Sequence, residues 1–315
     1  MNFPKKGKSP DPRLTALRRF AITITLFVLA GHSLLGFEQS FAHPLIALAF
    51  GYGTSLLLER VDSGSKGRQP GYAGGFKNLV YFLLPVHIGS LAISMLLYSN
   101  ERLLPVAFAV TVAVASKYFF RVQAGPRSCH FFNPSNLGIA TTLVLFPWVG
   151  IAPPYMFTEN ISGLGDWILP LAIIVLGGSL NYQFTRRMPL ILAWVGGFAL
   201  QALVRSFFKE GWLFWDSFLS GLIPMTGMAF LLFTFYMITD PATSPFKPRG
   251  QVAFGLSVAA VYGLLVAWHQ VFGLFFGLTL VCGLRGLILY LQQQAIAQRV
   301  WARLPLPASA SEPAR

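Results

Sequence analysis

Apolar runs long enough to cross a bilayer recur along the whole chain, and nearly every charge falls in the gaps between them. A membrane-crossing helix takes about 20 mostly apolar residues, with a range of about 17 to 25. By that measure ten spans are expected, near residues 20–36, 43–59, 79–98, 102–117, 136–151, 166–182, 188–205, 217–237, 251–268 and 270–291, the last two separated only by His269. A backbone in lipid must satisfy its own hydrogen bonds, so runs of this kind fold as helices. The expected fold is all-α, a polytopic integral membrane protein. Composition agrees: 54% of residues are hydrophobic and 11% charged, against about 25% charged in a soluble domain.

The gaps also set the topology. Loops kept in the cytoplasm carry an excess of Lys and Arg. With the N-terminus inside, twenty basic residues fall on cytoplasmic segments and three (Arg102, Arg205 and Lys209) on outer ones, so both termini are expected in the cytoplasm and the protein in an inner membrane. The formal charge of +13 therefore reads as topology and contact with anionic headgroups, with the lipid bilayer and not nucleic acid as the partner. Lys5, Lys6, Lys8, Arg13, Arg18 and Arg19 ahead of an apolar run imitate a signal peptide cleaved after Ala42, but the run is longer than such a segment and more spans follow. The expected organisation is a basic cytoplasmic segment at 1–19, a transmembrane domain at 20–291 and a cytoplasmic tail at 292–315, its end from Leu304 rich in Pro, Ala and Ser. Cys129 and Cys282 belong to no C-x-x-C pair and lie at cytoplasmic membrane ends, so neither a disulfide nor a metal site is expected.

Two polar segments stand where helices enter the cytoplasmic face. In S-C-H-F-F-N-P-S-N-L-G, Ser128 to Gly138, Pro134 keeps Asn133 out of the helical region, so Asn133 or Ser135 can cap the next span. Main-chain N–H groups at such a helix start favour an anion, and His130 beside it could donate to a ligand or move a proton. The plain alternative is a helix cap with an interfacial histidine. In M-I-T-D-P-A-T-S-P-F-K-P-R-G, Met237 to Gly250, Asp240 before Pro241 repeats the Asn-Pro arrangement, Thr243 and Ser244 add hydroxyls, and three prolines stiffen the loop. Its alternative is a stiff re-entry loop whose Lys247 and Arg249 meet headgroups. Within the spans, His87 and His32 are polar residues that lipid penalises unless they are paired or functional, and Arg285 can snorkel to the inner face. No G-x-x-x-x-G-K-[ST] loop, H-E-x-x-H helix or cysteine set for iron–sulfur ligation occurs.

H-F-F-N-P-S-N-L-G at 130–138 and M-I-T-D-P-A-T-S-P at 237–245, among about ten spans, resemble the RnfD/NqrB family, the flavin-bearing membrane subunits of Rnf and sodium-pumping NADH:quinone oxidoreductase complexes. The short loops are most similar to the stand-alone branch found in enediyne biosynthesis clusters. The resemblance implies a flavin site, electron transfer through the membrane coupled to Na⁺ or H⁺, and partner subunits carrying other redox centres. Carried over by position, Asn133, Pro134, Asn136, Asp240, Thr243 and Ser244 would line or brace the flavin region. Family members that attach FMN covalently use the threonine of an S-G-A-T-type motif in the outer connection after the fifth span. Here Ser162-Gly163 is followed by Leu164-Gly165, so FMN or riboflavin is expected without a covalent bond.

The leading expectation is thus a membrane subunit of a flavin-dependent electron-transport system, a redox-driven translocase subunit that is not catalytic alone. The alternatives are a small-solute or ion transporter or channel on the same scaffold, and a membrane assembly partner without a cofactor.

Overall fold

The computed structural model describes residues 12–124, 127–153, 157–208 and 213–301. Lys5, Lys6 and Lys8 of the basic segment, Lys209, and the tail from Leu304 lie outside the described residues. The described residues hold eleven α-helices: α1 (Pro12–Ala30), α2 (Ala42–Ser65), α3 (Phe76–Leu96), α4 (Leu104–Phe119), α5 (Pro134–Leu145), α6 (Ile168–Leu180), α7 (Met188–Ser206), α8 (Leu213–Leu222), α9 (Met228–Leu232), α10 (Pro248–Ala267) and α11 (Gly273–Trp301). Single π turns extend three of them, at Gly31–Leu35, Asn181–Thr185 and Phe233–Met237.

Helix starts follow the prolines. Pro105, Pro134, Pro189 and Pro248 each occupy a first-turn position, where the missing N–H costs nothing. Packing falls into two clusters. In the first, α2 lies against α3 and α4, α4 against α5, and α1 against α3; in the second, α7 packs along α10, α10 against α11, and α6 against α9. α5 against α11 and α1 against α6 join them. Two contacts need a missing side chain: a Cβ on Gly138 would run into the carbonyl of Ala109 on α4, and one on Gly255 would sit 2.8 Å from the carbonyl of Leu190 on α7. Trp194 is fully buried at the centre of the second cluster, between Phe198, Phe230 and Tyr262, with Nε1 donating to Thr234 Oγ1 at 2.9 Å. The outward faces are apolar too, as with Leu57, Leu192 and Leu284, which is the pattern of a protein whose solvent is lipid.

The expected all-α, membrane-type fold is present. Six helices are long and apolar enough to cross a membrane, or seven if the bent pair Leu213–Thr226 and Met228–Met237 counts as one. The lower count has local causes. α4 has 16 residues and α5 only 12; α2 carries Glu59, Arg60 and Asp62 in its last turns; and the eighth expected span breaks by 64° at Pro224–Gly227. The described residues also include two small antiparallel pairings that the sequence reading did not anticipate. Leu97–Tyr98 pairs with Gly150–Ile151, and Arg121–Ala124 pairs with Arg127–His130.

Candidate functional site

Asn133 builds the first polar turn as its sequence suggests. Its backbone is extended, and its Oδ1 accepts from the Asn136 N–H at 2.9 Å and from Ser135 Oγ at 3.1 Å, capping α5. Its amide is used elsewhere. Asn133 Nδ2 donates at 2.9 Å to the carbonyl of Met237, the last residue of the third π turn. One side chain therefore caps α5 and ties it to the second turn, and the two polar segments meet in space. Asn136 adds a second tie, donating to Phe275 O at 2.9 Å and Thr279 Oγ1 at 2.8 Å on α11.

The second segment is folded around Asp240. Its carboxylate accepts from the Ala242 N–H at 3.0 Å and the Thr243 hydroxyl at 3.1 Å, while its carbonyl accepts from the Ser244 N–H at 3.0 Å and hydroxyl at 2.7 Å. Thr243 and Ser244 are buried and committed to this loop. The π turn before it is pinned from the π turn that extends α6, where Asn181 Nδ2 donates at 2.9 Å to Phe235 O and at 2.9 Å to Gly177 O. Such turns interrupt the regular ladder and recur at functional sites.

Three cations surround this loop. Arg187, 1% exposed, donates to the carbonyls of Pro245 and Pro241 and lies 5.1 Å over the Phe246 ring. Arg285 comes from the opposite side and donates to Thr243 O at 2.6 Å, so its expected snorkelling ends on this loop. Lys117, at the end of α4, lies within electrostatic reach of Asp240. None of the three is in a direct ion pair among the described residues. Buried Nε of Arg187, Oδ1 of Asn136 and Oε1 of Gln251 have no partner there. Cations withdrawn from water with one carboxylate between them carry a desolvation cost that an anion would offset.

A different arrangement lies at the C-terminal ends of α2 and α4. Glu59, 5% exposed, accepts from Arg68 at 2.6 Å, the Gly71 N–H at 2.8 Å and Tyr118 at 3.3 Å. Asp62 pairs with Lys66 and Arg68, each at 2.6 Å, and with Arg121 at 3.4 Å. Hydrogen bonds from Lys66 and Arg68 hold the Asp62 carboxyl below its ordinary range.

Of the residues singled out from sequence, Asn133, Pro134, Asn136, Asp240, Thr243 and Ser244 come together, and their polar atoms are largely spent on one another and on the backbone. They brace the site more than they face it. His130 ends the hairpin opposite Arg121, close in sequence to the capped turn. His87 is apart from it, between Thr25 Oγ1 at 2.7 Å and Tyr52 OH at 2.6 Å. Because the Thr25 hydroxyl donates to Ala21 O at 2.7 Å, it accepts from His87 Nε2–H, and Tyr52 donates to Nδ1. His32 likewise bonds Val28 O at 2.8 Å. The sequence reading missed Lys117, Arg187 and Asn181. The first two counted only as topological charges, and no periodic pattern marked the third.

A negatively charged group would suit this surplus of cations and unpartnered Arg187 Nε. Residues 149–296 match the model of the NQR2, RnfD, RnfE family, a stretch that takes in α6 to α10, α11 as far as Ile296, the Asp240 loop, Arg187 and Arg285. No curated protein matches the chain. A multi-pass helical scaffold and this match together support a membrane subunit of the RnfD/NqrB type, with the family's sequence carried over residues 149–296.

Proposed function

We propose that the protein is the flavin-holding membrane subunit of an electron-transport complex, binding FMN or riboflavin non-covalently beside the joined turns. The observation that carries this reading is the Asn133–Met237 bond with Lys117, Arg187 and Arg285 gathered around the Asp240 loop. A flavin supplies one- and two-electron chemistry where it binds. The chain's own residues divide the remaining work. Asn133, Asn136 and Asn181 fix the helix breaks, Asp240 shapes the loop, and Lys117 and Arg285 hold negative charge. The apolar walls around Trp194 and Phe233 exclude water, which strengthens those charge interactions. Partner subunits carry the other redox centres, and Na⁺ or H⁺ movement is coupled through the interrupted helices.

The reading includes ten crossings with both termini in the cytoplasm of an inner-membrane protein. α2, α4 and α5 supply the three crossings that length and composition leave out, and α8 with α9 forms one broken span. It also excludes covalent FMN at the outer connection, where exposed Leu164 and half-buried Gly165 sit in a short turn, Gly163–Trp167, in place of the attachment pair.

A second reading has its own support. The 64° break between α8 and α9 and the short α5 resemble the discontinuous helices that line ion and substrate paths. One experiment separates the two. Protein purified in mild detergent is examined for flavin absorbance, then denatured and filtered. Flavin in the filtrate, lost in Asp240→Asn and His130→Ala proteins that still fold, is the expected result. A folded protein that holds none and takes up neither FMN nor riboflavin overturns the redox reading, and solute flux without cofactor establishes the second.

A further inference from the structure

At the N-terminal end of the first cluster, away from the joined turns, α1 and α3 leave a groove of about 330 Å³ between them. Its floor is apolar, formed by Ala21 and Ile22 of α1 and by Val80 and Leu84 of α3. Its inner end carries two exposed cations from different helices, Arg18 and Lys77, with Lys77 5.8 Å over the ring of Tyr81. Neither cation is in an ion pair among the described residues, because the carboxylates of this face, Glu59 and Asp62, are taken by Arg68, Lys66 and Arg121. Tyrosine with basic residues at one end of an apolar groove marks the depth of the headgroups.

We infer that this groove is a binding site for an anionic glycerophospholipid of the cytoplasmic leaflet, its phosphate between Arg18 and Lys77 and an acyl chain along Ile22, Val80 and Leu84. Charge complementarity selects the occupant. A partner helix would leave both cations facing apolar surface, whereas a phosphate neutralises them, and basic pockets between membrane helices on this side are recognised lipid sites. The second groove flanking α1, between α1 and α6, is smaller at about 190 Å³, and its basic residue Arg19 already lies 4.7 Å over the Phe184 ring. Arg19 therefore serves as the control.

The full-length protein is purified, exchanged into detergent containing equal phosphatidylglycerol and phosphatidylcholine, and its retained lipid measured by native mass spectrometry. Variants are compared only when they elute as monodisperse folded protein. The wild type is expected to retain phosphatidylglycerol selectively. The Arg18→Gln, Lys77→Gln double variant is expected to lose that selectivity by roughly thirty-fold, each basic residue near the surface counting for a factor of about five. Val80→Trp fills the groove with both charges in place and is expected to lose the lipid as well. Arg19→Gln removes one charge from the neighbouring position and is expected to retain it. Unchanged selectivity in the double variant, retention in Val80→Trp, a loss in Arg19→Gln equal to that of the double variant, or no lipid on the wild type each overturns the assignment.

Discussion

Two charged clusters lie at the same end of the helices, and they are built on opposite plans. Around Glu59 and Asp62 each cation meets a carboxylate, and the network ties the α2–α3 connection to α2 and α4. Around the Asp240 loop the guanidinium groups end on backbone carbonyls and the one carboxylate is bound by its own loop. A paired network is complete as it stands and acts as structure. An unpaired one has electrostatic capacity left over, which is what a ligand site needs.

Substitutions should separate the two plans. The largest effect is expected from Asn133→Ala, which removes the α5 cap and leaves the Met237 carbonyl with the Asp240 N–H as its donor, at a cost of about 2–3 kcal/mol for the lost cap and hydrogen bond. Thermal unfolding in detergent would show it as the steepest loss of midpoint among these variants, and a shift within error would mean that the turns hold together without that bond. Next, Glu59→Gln is expected to cost about 1–2 kcal/mol of stability by breaking the Arg68 pair, while leaving flavin retention untouched. Arg285→Met should behave the other way, lowering flavin affinity about tenfold, as loss of one charge-assisted contact would, with little change in unfolding midpoint. If Glu59→Gln released flavin, or Arg285→Met only unfolded the protein, the contrast between a structural and a binding cluster would collapse. The smallest effect concerns pH. Because Asp62 is held below its usual range when folded, its contribution is complete above about pH 4, the ordinary aspartate value, and fades as pH falls through the folded value. Asp62→Asn should flatten the acid limb of the stability profile, and an unchanged limb would remove Asp62 from the network's energetics.

The helical, membrane-embedded character of the chain was legible because lipid imposes one rule on every span. The two polar turns were legible for a local reason, since Asn133-Pro134 and Asp240-Pro241 force a break wherever they occur. Their meeting was not, because the bond from Asn133 to Met237 crosses 104 positions and depends on how α5, α9 and α11 pack. Span ends were misjudged where hydropathy outlasts the helix. The run expected over 136–151 stops as a helix at Leu145, just ahead of Pro147, and the run over 217–237 is divided by Pro224 and Gly227. Arg187 was legible only as a count in a charge tally, because nothing in its neighbours along the chain announces the carbonyls of Pro241 and Pro245.

The shortness of α5 has an electrical meaning. Its 12 residues rise about 18 Å, whereas the hydrocarbon layer of a bilayer is about 30 Å thick. In the ten-span arrangement proposed above this helix carries one crossing, and the cation-rich turns stand at its start. A transmembrane voltage that reaches those turns drops over little more than half the usual distance, and the field there is correspondingly steeper. A charge carried across that thin section feels the full energy of the membrane potential, about 2.3 kcal/mol per 100 mV, within a path shorter than any full-length span would allow.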